Sequence, residues 1–167
     1  NFSATNISHV VILHNKEQMN DIAASLRHAY YMEDLNRIEV PPLLFAHRGG
    51  KADAPENTIE AFKLALLNGS NGLESDAQVT ECGNVVLHHD RKFGSLFKRK
   101  AIKRCELLHL PSSIPSLRDF YTEIDGDFDL SIDIKDSKAV EEILDISKEF
   151  LFPLEKLWLC HPDIEKI

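Results

Sequence analysis

The sequence predicts an α/β fold with a parallel sheet, because short apolar strands alternate with amphipathic helices along most of its 167 residues. The composition, 43% hydrophobic and 28% charged, fits an ordinary globular domain and excludes a fibrous or disordered chain. No apolar run approaches the roughly 18 residues of a membrane-spanning helix, so we expect no transmembrane segment. The chain is long enough to form one hydrophobic core.

Two consecutive prolines divide the chain. Pro41 and Pro42 separate an N-terminal extension, residues 1–41, from a longer second part. Within the extension, a short strand is predicted over residues 9–13 and a helix over residues 16–36, where apolar residues recur at helical spacing. The extension is therefore interpreted as one strand–helix (βα) piece of unknown function.

The second part, residues 42–167, carries the alternating pattern. Helices are predicted over 58–67, 116–123 and 138–150, and strands over 43–46, 72–77, 85–89, 128–135 and 157–160. Asn57 is followed three residues later by Glu60, which indicates a capping box at the start of the first helix. Strands separated by helices are typical of a parallel sheet.

Two of the predicted strands carry acidic residues on one face. Side chains at i and i+2 of a strand share a face, so Glu74 and Asp76 project together, and so do Asp133 and Lys135. Clustered carboxylates repel one another unless a cation joins them, and oxygen ligands favour Mg²⁺ or Ca²⁺ over zinc. The alternative is that the acids form ion pairs with Arg or Lys at the end of the sheet.

Histidines follow two further strands: His47 ends one, and the pair His88 and His89 ends another. Two imidazoles with pKa values near ~6.5 suit acid–base catalysis, because one can accept a proton while the other donates one. The alternative is that each histidine has a structural hydrogen-bonding role. Strand alternation places only one of His88 and His89 on the face of the site.

A cation and two glycines come directly after His47. Arg48 can hold two phosphate oxygens with its planar guanidinium group, or form a surface ion pair, and Gly49 and Gly50 allow a tight turn beside a ligand. The net charge of -8 argues against a nucleic-acid partner, which would need a basic face. A phosphate ligand would therefore be attracted locally, by a metal ion or a few cations.

In order, these residues resemble the glycerophosphodiester phosphodiesterase family. The motifs that carry the resemblance are His47-Arg48-Gly49, residues 55–62, Glu74-Ser75-Asp76, Val79-Thr80, Gly83, Val86, His89-Asp90, Ile114-Pro115-Ser116-Leu117 and Asp133-Ile134-Lys135. Each motif alone is short, but the ordered set with these spacings is highly specific. The resemblance covers residues 43 to about 135 and does not extend to the segment before Pro41.

The resemblance implies a TIM-type (β/α) barrel that is incomplete in this chain, with about five of eight strands and the N-terminal βα extension. A complete barrel of this type needs about 250 residues. The implied activity is hydrolysis of a small-molecule glycerophosphodiester to glycerol 3-phosphate and an alcohol, with a divalent cation, Mg²⁺ or Ca²⁺. Choline, ethanolamine, inositol and glycerol diesters all remain open as substrates.

Carried over by position, the resemblance also implies roles for seven residues: acid and base for His47 and His89, phosphate binding for Arg48 and Lys135, and metal binding for Glu74, Asp76 and Asp133. His89 is chosen over His88 because the family's histidine immediately precedes an Asp. Asp133 stands where the family usually has Glu, so its carboxylate reaches one methylene less far. Cys82 stands where the family commonly has Asp.

Two alternatives stay open beside this hypothesis. One is a phosphodiesterase similar to phosphoinositide phospholipase C, which would give a cyclic phosphate product. The other is a truncated relative that binds a ligand without turnover. The uncovered edges of an incomplete barrel would favour pairing into a homo-oligomer. Three cysteines, Cys82, Cys105 and Cys160, lack close pairing and are expected to be free thiols of a cytoplasmic protein.

Overall fold

The computed structural model of the chain describes residues 10–13, 43–51, 53–95 and 98–161. In these residues three α-helices occur, namely α1 (Ile59–Leu67), α2 (Leu117–Glu123) and α3 (Ala139–Glu149). The strands are β1 (Val10–Leu13), β2 (Leu43–Ala46), β3 (Gly72–Val79), β4 (Val85–Leu87), β5 (Lys92–Phe93), β6 (Lys100–Ala101), β7 (Asp129–Ile134) and β8 (Leu157–Cys160). None of the described helices is long and apolar enough to cross a membrane.

The main sheet has the strand order β1-β2-β3-β7-β8, and all neighbours along this path are parallel. Helix α1 lies between β2 and β3 in the chain, α2 between β4 and β7, and α3 between β7 and β8. This alternation confirms the α/β fold with a parallel sheet that the sequence predicts. The helix predicted over residues 16–36 lies outside the described residues.

The strand predicted over residues 85–89 forms, but it is shorter and is not a barrel strand. β4 ends at Leu87 and pairs antiparallel with β3, with Val79 opposite Val85. Only residues 80–84 join the two strands, and Gly83 turns the chain with φ +85°. A parallel crossover needs a dozen or more residues, so this short link can only form a hairpin.

The hydrophobic core lies between one face of the sheet and the helices. Leu130 and Ile132 of β7 are completely buried there, as the alternation in that strand predicts. Phe62 of α1 and Phe120 of α2 meet in a T-shaped contact with ring centroids 5.0 Å apart. Burying one such side chain stabilises the fold by about 1.5–3 kcal/mol. This layer therefore keeps the apolar face of the sheet packed against the helices. The opposite face is therefore left to the polar side chains.

Helix α1 begins one residue later than the sequence predicts. Its N-cap is Thr58, whose hydroxyl accepts a hydrogen bond from the backbone N–H of Ala61. Asn57, which the sequence pattern indicates as the cap, instead has φ +57° and a buried side chain. The predicted capping box at Asn57 and Glu60 is wrong because the Asn57 side chain lies against β3, the strand that carries Glu74 and Asp76, and does not cap the helix.

The described part of the N-terminal extension joins the main sheet. β1 confirms the strand predicted over residues 9–13 and pairs with β2 along its whole length, from Val10 opposite Leu43 to Leu13 opposite Ala46. The edge of β2 is therefore covered by a parallel neighbour. The boundary at residues 41 and 42 stays a prediction.

The cysteines agree with the expectation of free thiols. Cys82 and Cys160 are exposed, Cys105 is buried, and all three are unbonded to one another. The cytoplasmic location and the homo-oligomer expected from the sequence stay predictions.

Candidate active site

An acidic face forms where two neighbouring parallel strands present carboxylates in register. Glu74 and Asp76 lie on the same face of β3, while Leu73 and Ala77 point into the core on the other face. The register of β3 and β7 places Asp76 directly opposite Asp133. Three of the sequence-predicted site residues are thus neighbours on one sheet surface.

The turn after β2 brings His47 and Arg48 to this acidic face. Residues His47–Gly49 form a single 3-10 turn, in which Arg48 has the left-handed backbone angles φ 52° and ψ 35°. This conformation directs the backbone N–H of Arg48 to Glu74 Oε2, at 2.9 Å. His47 Nε2 lies 3.9 Å from the same carboxylate oxygen. The turn therefore holds the His47 side chain and the Arg48 backbone next to Glu74.

Gly49 allows this turn to pack closely on helix α1. A Cβ atom at Gly49 would lie 2.8 Å from Ala61 Cβ and 2.9 Å from the Ala61 backbone carbon, and the residue has φ +76°. Both the contact and the backbone angle exclude a larger residue without a shift of the turn. Glycine at this position thus sets the distance between the helix and the site.

The guanidinium group of Arg48 is engaged by acids on two sides. Its Nη1 donates to both carboxylate oxygens of Glu56, at 3.0 and 3.1 Å, and its Nε lies 3.2 Å from Asp76 Oδ2. The Nε–H is not aligned for a hydrogen bond with Asp76, so that contact is an ion pair only. The ion pairs that the sequence offered as an alternative therefore do form.

Lys135 bridges the two carboxylates that face each other in register. Its Nζ lies 3.0 Å from Asp76 Oδ1 and 2.5 Å from Asp133 Oδ2. Burial alone would lower the pKa of Lys135, but the hydrogen bonds to Asp133 and Asp76 outweigh burial and raise the pKa. A positive charge thus occupies the space between these strands.

Asn57 holds the buried carboxylate of Asp76 in place. Its side-chain amide donates to Asp76 Oδ2 at 3.1 Å, and its amide oxygen accepts from Ser75 Oγ at 2.8 Å. The sequence pattern indicates Asn57 only as a helix cap and Glu56 only as part of a motif, with no role for either in the site. Asparagine tolerates positive φ, so an Asn before a capping Thr is a signal that could have indicated this turn.

Glu74 has an unusual protonation equilibrium. Burial raises the pKa of its carboxyl from 4.5 to about 7, the Arg48 N–H opposes this shift, and repulsion from Asp76 and Asp133 adds to it. The three acids therefore interact electrostatically, and a cation close to Glu74 would favour its ionised form.

The donor chemistry of these acids fits a hard divalent cation. All three side chains offer only carboxylate oxygens, and Glu74 is destabilised as an anion in the present arrangement. In the described residues no group of three or more His, Cys, Asp or Glu side chains is gathered closely enough to hold a metal ion. Metal binding by Glu74, Asp76 and Asp133 thus stays a prediction that requires the carboxylates to turn towards one point.

His88 and His89 lie beyond the end of β4, so strand alternation does not decide which of them faces the site. His89 Nδ1 lies 3.1 Å from Asp90 Oδ1, and its carbonyl oxygen accepts from Gln78 Nε2 at 3.1 Å. Gln78 follows Glu74 and Asp76 on the acidic face of β3. His89 is therefore connected to that face through Gln78, a residue that no motif in the sequence indicates.

His88 has a different environment. Its backbone N–H donates to the carbonyl oxygen of Asp76 at 2.8 Å. Burial lowers the pKa of its imidazole, although the charges of Asp90, Glu56 and Asp76 oppose the shift. The side chain lines a hollow with Pro55 and Glu56, beside the start of α1. His88 is thus less suited than an accessible imidazole to carry a proton in the site.

Known proteins resemble this chain in sequence. The model of the glycerophosphoryl diester phosphodiesterase family matches residues 47–152. A glycerophosphodiester phosphodiesterase from Caldanaerobacter subterraneus subsp. tengcongensis is 32% identical over 131 residues, covering 66% of this chain and 54% of that relative. Human glycerophosphodiester phosphodiesterase 1 is 53% identical over 45 residues, covering 27% of this chain and 14% of the human protein. The chain spans about half the length of the first relative.

Solved structures agree with the fold. A glycerophosphodiester phosphodiesterase from Thermotoga maritima has a TM-score of 0.68 and 28% identity, covering 77% of this chain and 57% of that one. A phosphodiesterase from Oleispira antarctica, solved with its product sn-glycerol-3-phosphate, has a TM-score of 0.65 and 22% identity, covering 73% of this chain and 58% of that one. The arrangement of strands and helices described above is therefore that of part of a TIM-type barrel.

Proposed function

The chain belongs to the glycerophosphoryl diester phosphodiesterase family, and from this membership we propose that it carries a catalytic site for hydrolysis of glycerophosphodiesters to glycerol 3-phosphate and an alcohol. The observation that carries the proposal is the turn after β2, which joins His47 and Arg48 directly to the acidic face. The product bound to the Oleispira relative supports glycerol 3-phosphate as the product here. Residues 42–167 would form this catalytic unit, and residues 1–41 would extend it.

The proposed chemistry needs a proton acceptor and a proton donor on opposite sides of the phosphate. His47 and His89 would form this pair, since one imidazole can take a proton from the attacking water while the other gives one to the leaving alkoxide. The contact of His89 Nδ1 with Asp90 fixes the imidazole ring and leaves Nε2 for proton transfer. Lys135 and Arg48 would break some of their contacts with carboxylates and would bind the phosphate oxygens instead.

Glu74, Asp76 and Asp133 would hold the divalent cation, Mg²⁺ or Ca²⁺. When bound, such an ion polarises the phosphoryl group and balances the charge that grows in the transition state. The three carboxylates lie on adjacent strands and offer only oxygen donors, which is the donor type that both ions prefer.

The activity is tested by incubating glycerophosphocholine with the protein at its full natural length and following the phosphorus-containing products by ³¹P NMR. The reaction is run with Mg²⁺ or Ca²⁺ and with chelator. We expect glycerol 3-phosphate to accumulate only with metal. A cyclic phosphate product would identify the mechanism of the phospholipase C-like alternative. Absence of turnover in every condition would instead favour the non-catalytic alternative.

Metal binding should depend on pH through Glu74. Folding raises the pKa of this carboxyl from 4.5 to about 7, so its contribution to stability is full below the lower value and is lost as the pH rises through the higher one. A divalent cation binds the ionised carboxylate and should reverse that loss. The increase in Tm caused by Mg²⁺ is therefore expected to be small at about pH 5.5 and to grow through pH 7.

Differential scanning fluorimetry with Mg²⁺ and with chelator measures this increase. Glu74→Gln is the matched control, because its amide has no proton to release and should give no rise with pH. A metal-induced increase in Tm that is constant across the pH range in the unmodified protein would contradict a role for Glu74 as ligand.

The two adjacent histidines should differ strongly in their effect on turnover. His89→Ala removes one member of the proposed acid–base pair and is expected to lower kcat by about 10³-fold. His88→Ala should leave activity within about threefold, because the His88 imidazole is desolvated and His88 lines a separate hollow with Pro55 and Glu56. Parallel kcat measurements on both variants decide the assignment, and the opposite ranking would exchange the roles of the two residues.

A further inference from the structure

A cavity with an excess of positive charge lies next to the proposed phosphate site. It has a volume of about 480 Å³ at the C-terminal ends of β3 and β7, and its lining includes Gln78, Arg91, Lys92, Lys103, Lys135 and Asp136. We refer to the cavity that these six residues line as the basic cavity. In a barrel of this type, the C-terminal ends of the strands form the catalytic face. The cavity thus lies on the same face as the site.

The positive charge comes from one segment of an otherwise acidic chain. Residues 91–104 contain seven Lys or Arg residues and neither Asp nor Glu, although the whole chain has a net charge of -8. This segment includes the two-stranded sheet of β5 and β6, which holds Lys92 opposite Ala101. Like charges concentrated in a concave surface attract anions to it.

In the part of the chain that the structure describes, three of these cations lack an acidic partner. Among the described residues, the side chains of Arg91, Lys92 and Lys103 form no ion pair within 4.0 Å. The acid in the cavity lining, Asp136, accepts a hydrogen bond from the backbone N–H of Lys138 at 3.1 Å, so its carboxylate serves the start of α3. The described lining of the cavity therefore offers more positive than negative charge to a ligand.

The basic cavity is continuous with the catalytic face through two residues. Lys135 lines the cavity and also contacts Asp76 and Asp133. Gln78 lines it as well and donates to the carbonyl oxygen of His89. A diester with its phosphate at Lys135 would therefore extend one ester arm into the cavity.

We propose that the basic cavity binds the alcohol portion of the diester and selects alcohols that carry an anionic group, either a carboxylate or a second phosphate. The proposal rests on the proposed function and specifies its substrate class. The glycerol arm carries no charge, so the cations can only discriminate on the alcohol side. Arg91, Lys92 and Lys103 would supply hydrogen bonds to the anion, and such charge-assisted bonds are stronger than neutral ones.

Two substrates that differ by one carboxylate test this selectivity. The full natural protein is assayed with glycerophosphoserine and glycerophosphoethanolamine, and the ratio of their kcat/KM values is compared between variants. Lys103→Ala is expected to lower this ratio about tenfold, which corresponds to the loss of one hydrogen bond to a charged group. Lys148→Ala, which removes an exposed lysine that contacts Asp145 on α3, is the matched control and should leave the ratio unchanged.

The outcomes separate this proposal from the proposed function. An unchanged ratio in Lys103→Ala, with ethanolamine diester turnover intact, overturns the selectivity and leaves the activity standing. If neither diester is cleaved, the proposed function fails, and the binding of the same two compounds is measured by calorimetry to test the cavity separately. Tighter binding of the serine diester that Lys103→Ala abolishes supports an anion-selective cavity. Equal affinities for the two compounds overturn the selectivity. Lys103→Ala could instead lose binding to phosphatidylserine vesicles while the ratio of kcat/KM values stays unchanged. That result would mean that the cations contact a membrane surface, and it also overturns the selectivity.

Discussion

Replacing His47 by alanine is expected to lower kcat for glycerophosphocholine by about 10³-fold while leaving the fold intact. His47 comes directly after β2, and its Nε2 lies 3.9 Å from Glu74 Oε2, so the ring lies beside the acidic face. Removing one member of an acid–base pair takes away proton transfer but not the binding of the phosphate. The loss should therefore appear in kcat much more than in KM.

The pH dependence gives an independent check on the pair. The unmodified protein should show a bell-shaped profile of kcat/KM, because one imidazole must be neutral while the other is protonated. His47→Ala should remove one limb of the bell. His109→Ala, at an exposed histidine outside the proposed site, serves as the control and should keep both the rate and the profile. A flat profile in the unmodified protein between about pH 5 and 9 would count against the pair.

Asp76→Asn is expected to abolish metal-dependent turnover and to lower the free energy of unfolding by about 3 kcal/mol. The Asp76 side chain is only 2% exposed. It lies 3.2 Å from Arg48 Nε and 3.0 Å from Lys135 Nζ, and it accepts from Asn57 at 3.1 Å. Asparagine keeps the shape but removes the charge and turns one acceptor into a donor, which leaves two cations and an amide without their shared anion.

Urea unfolding measures the stability change, with an unchanged m-value as evidence that the folded state is retained. Asp133→Asn is the matched control on the neighbouring strand. Asp133 is 36% exposed, so its loss should cost no more than about 1 kcal/mol while still weakening metal binding. Equal stability losses in the two variants would mean that Asp76 is not the centre of the charge network.

Much of the fold follows from patterns local to each segment. The apolar alternation of β7 and the amphipathic stretches of α1 and α3 are visible in the sequence because each must present one apolar face to the core. The direction of β4 also has a local signal, the five-residue link with Gly83, but a run of apolar residues looks the same in either orientation. Its antiparallel pairing depends on the shortness of that link.

The site residues were predicted from motif resemblance, whereas their contacts were not predictable from it. Alternation places Glu74 and Asp76 on one face, but only the register between strands shows that Asp76 faces Asp133. The role of Asn57 depends on a positive φ and on a strand 18 residues away, where Ser75 donates to it. Such pairings arise from tertiary structure, so no spacing rule within one segment can supply them.

The pairing of β1 with β2 would couple local opening of this sheet edge to the position of the His47 imidazole. β1 pairs with all four residues of β2, whereas β3 pairs only with Phe45 and Ala46, and the next residue is His47. If β1 separated from β2, β2 would keep backbone pairing over only half its length. The His47 imidazole would then sample a wider range of positions on the timescale of local unfolding. Faster amide hydrogen exchange along β2 would then accompany a loss of catalytic competence.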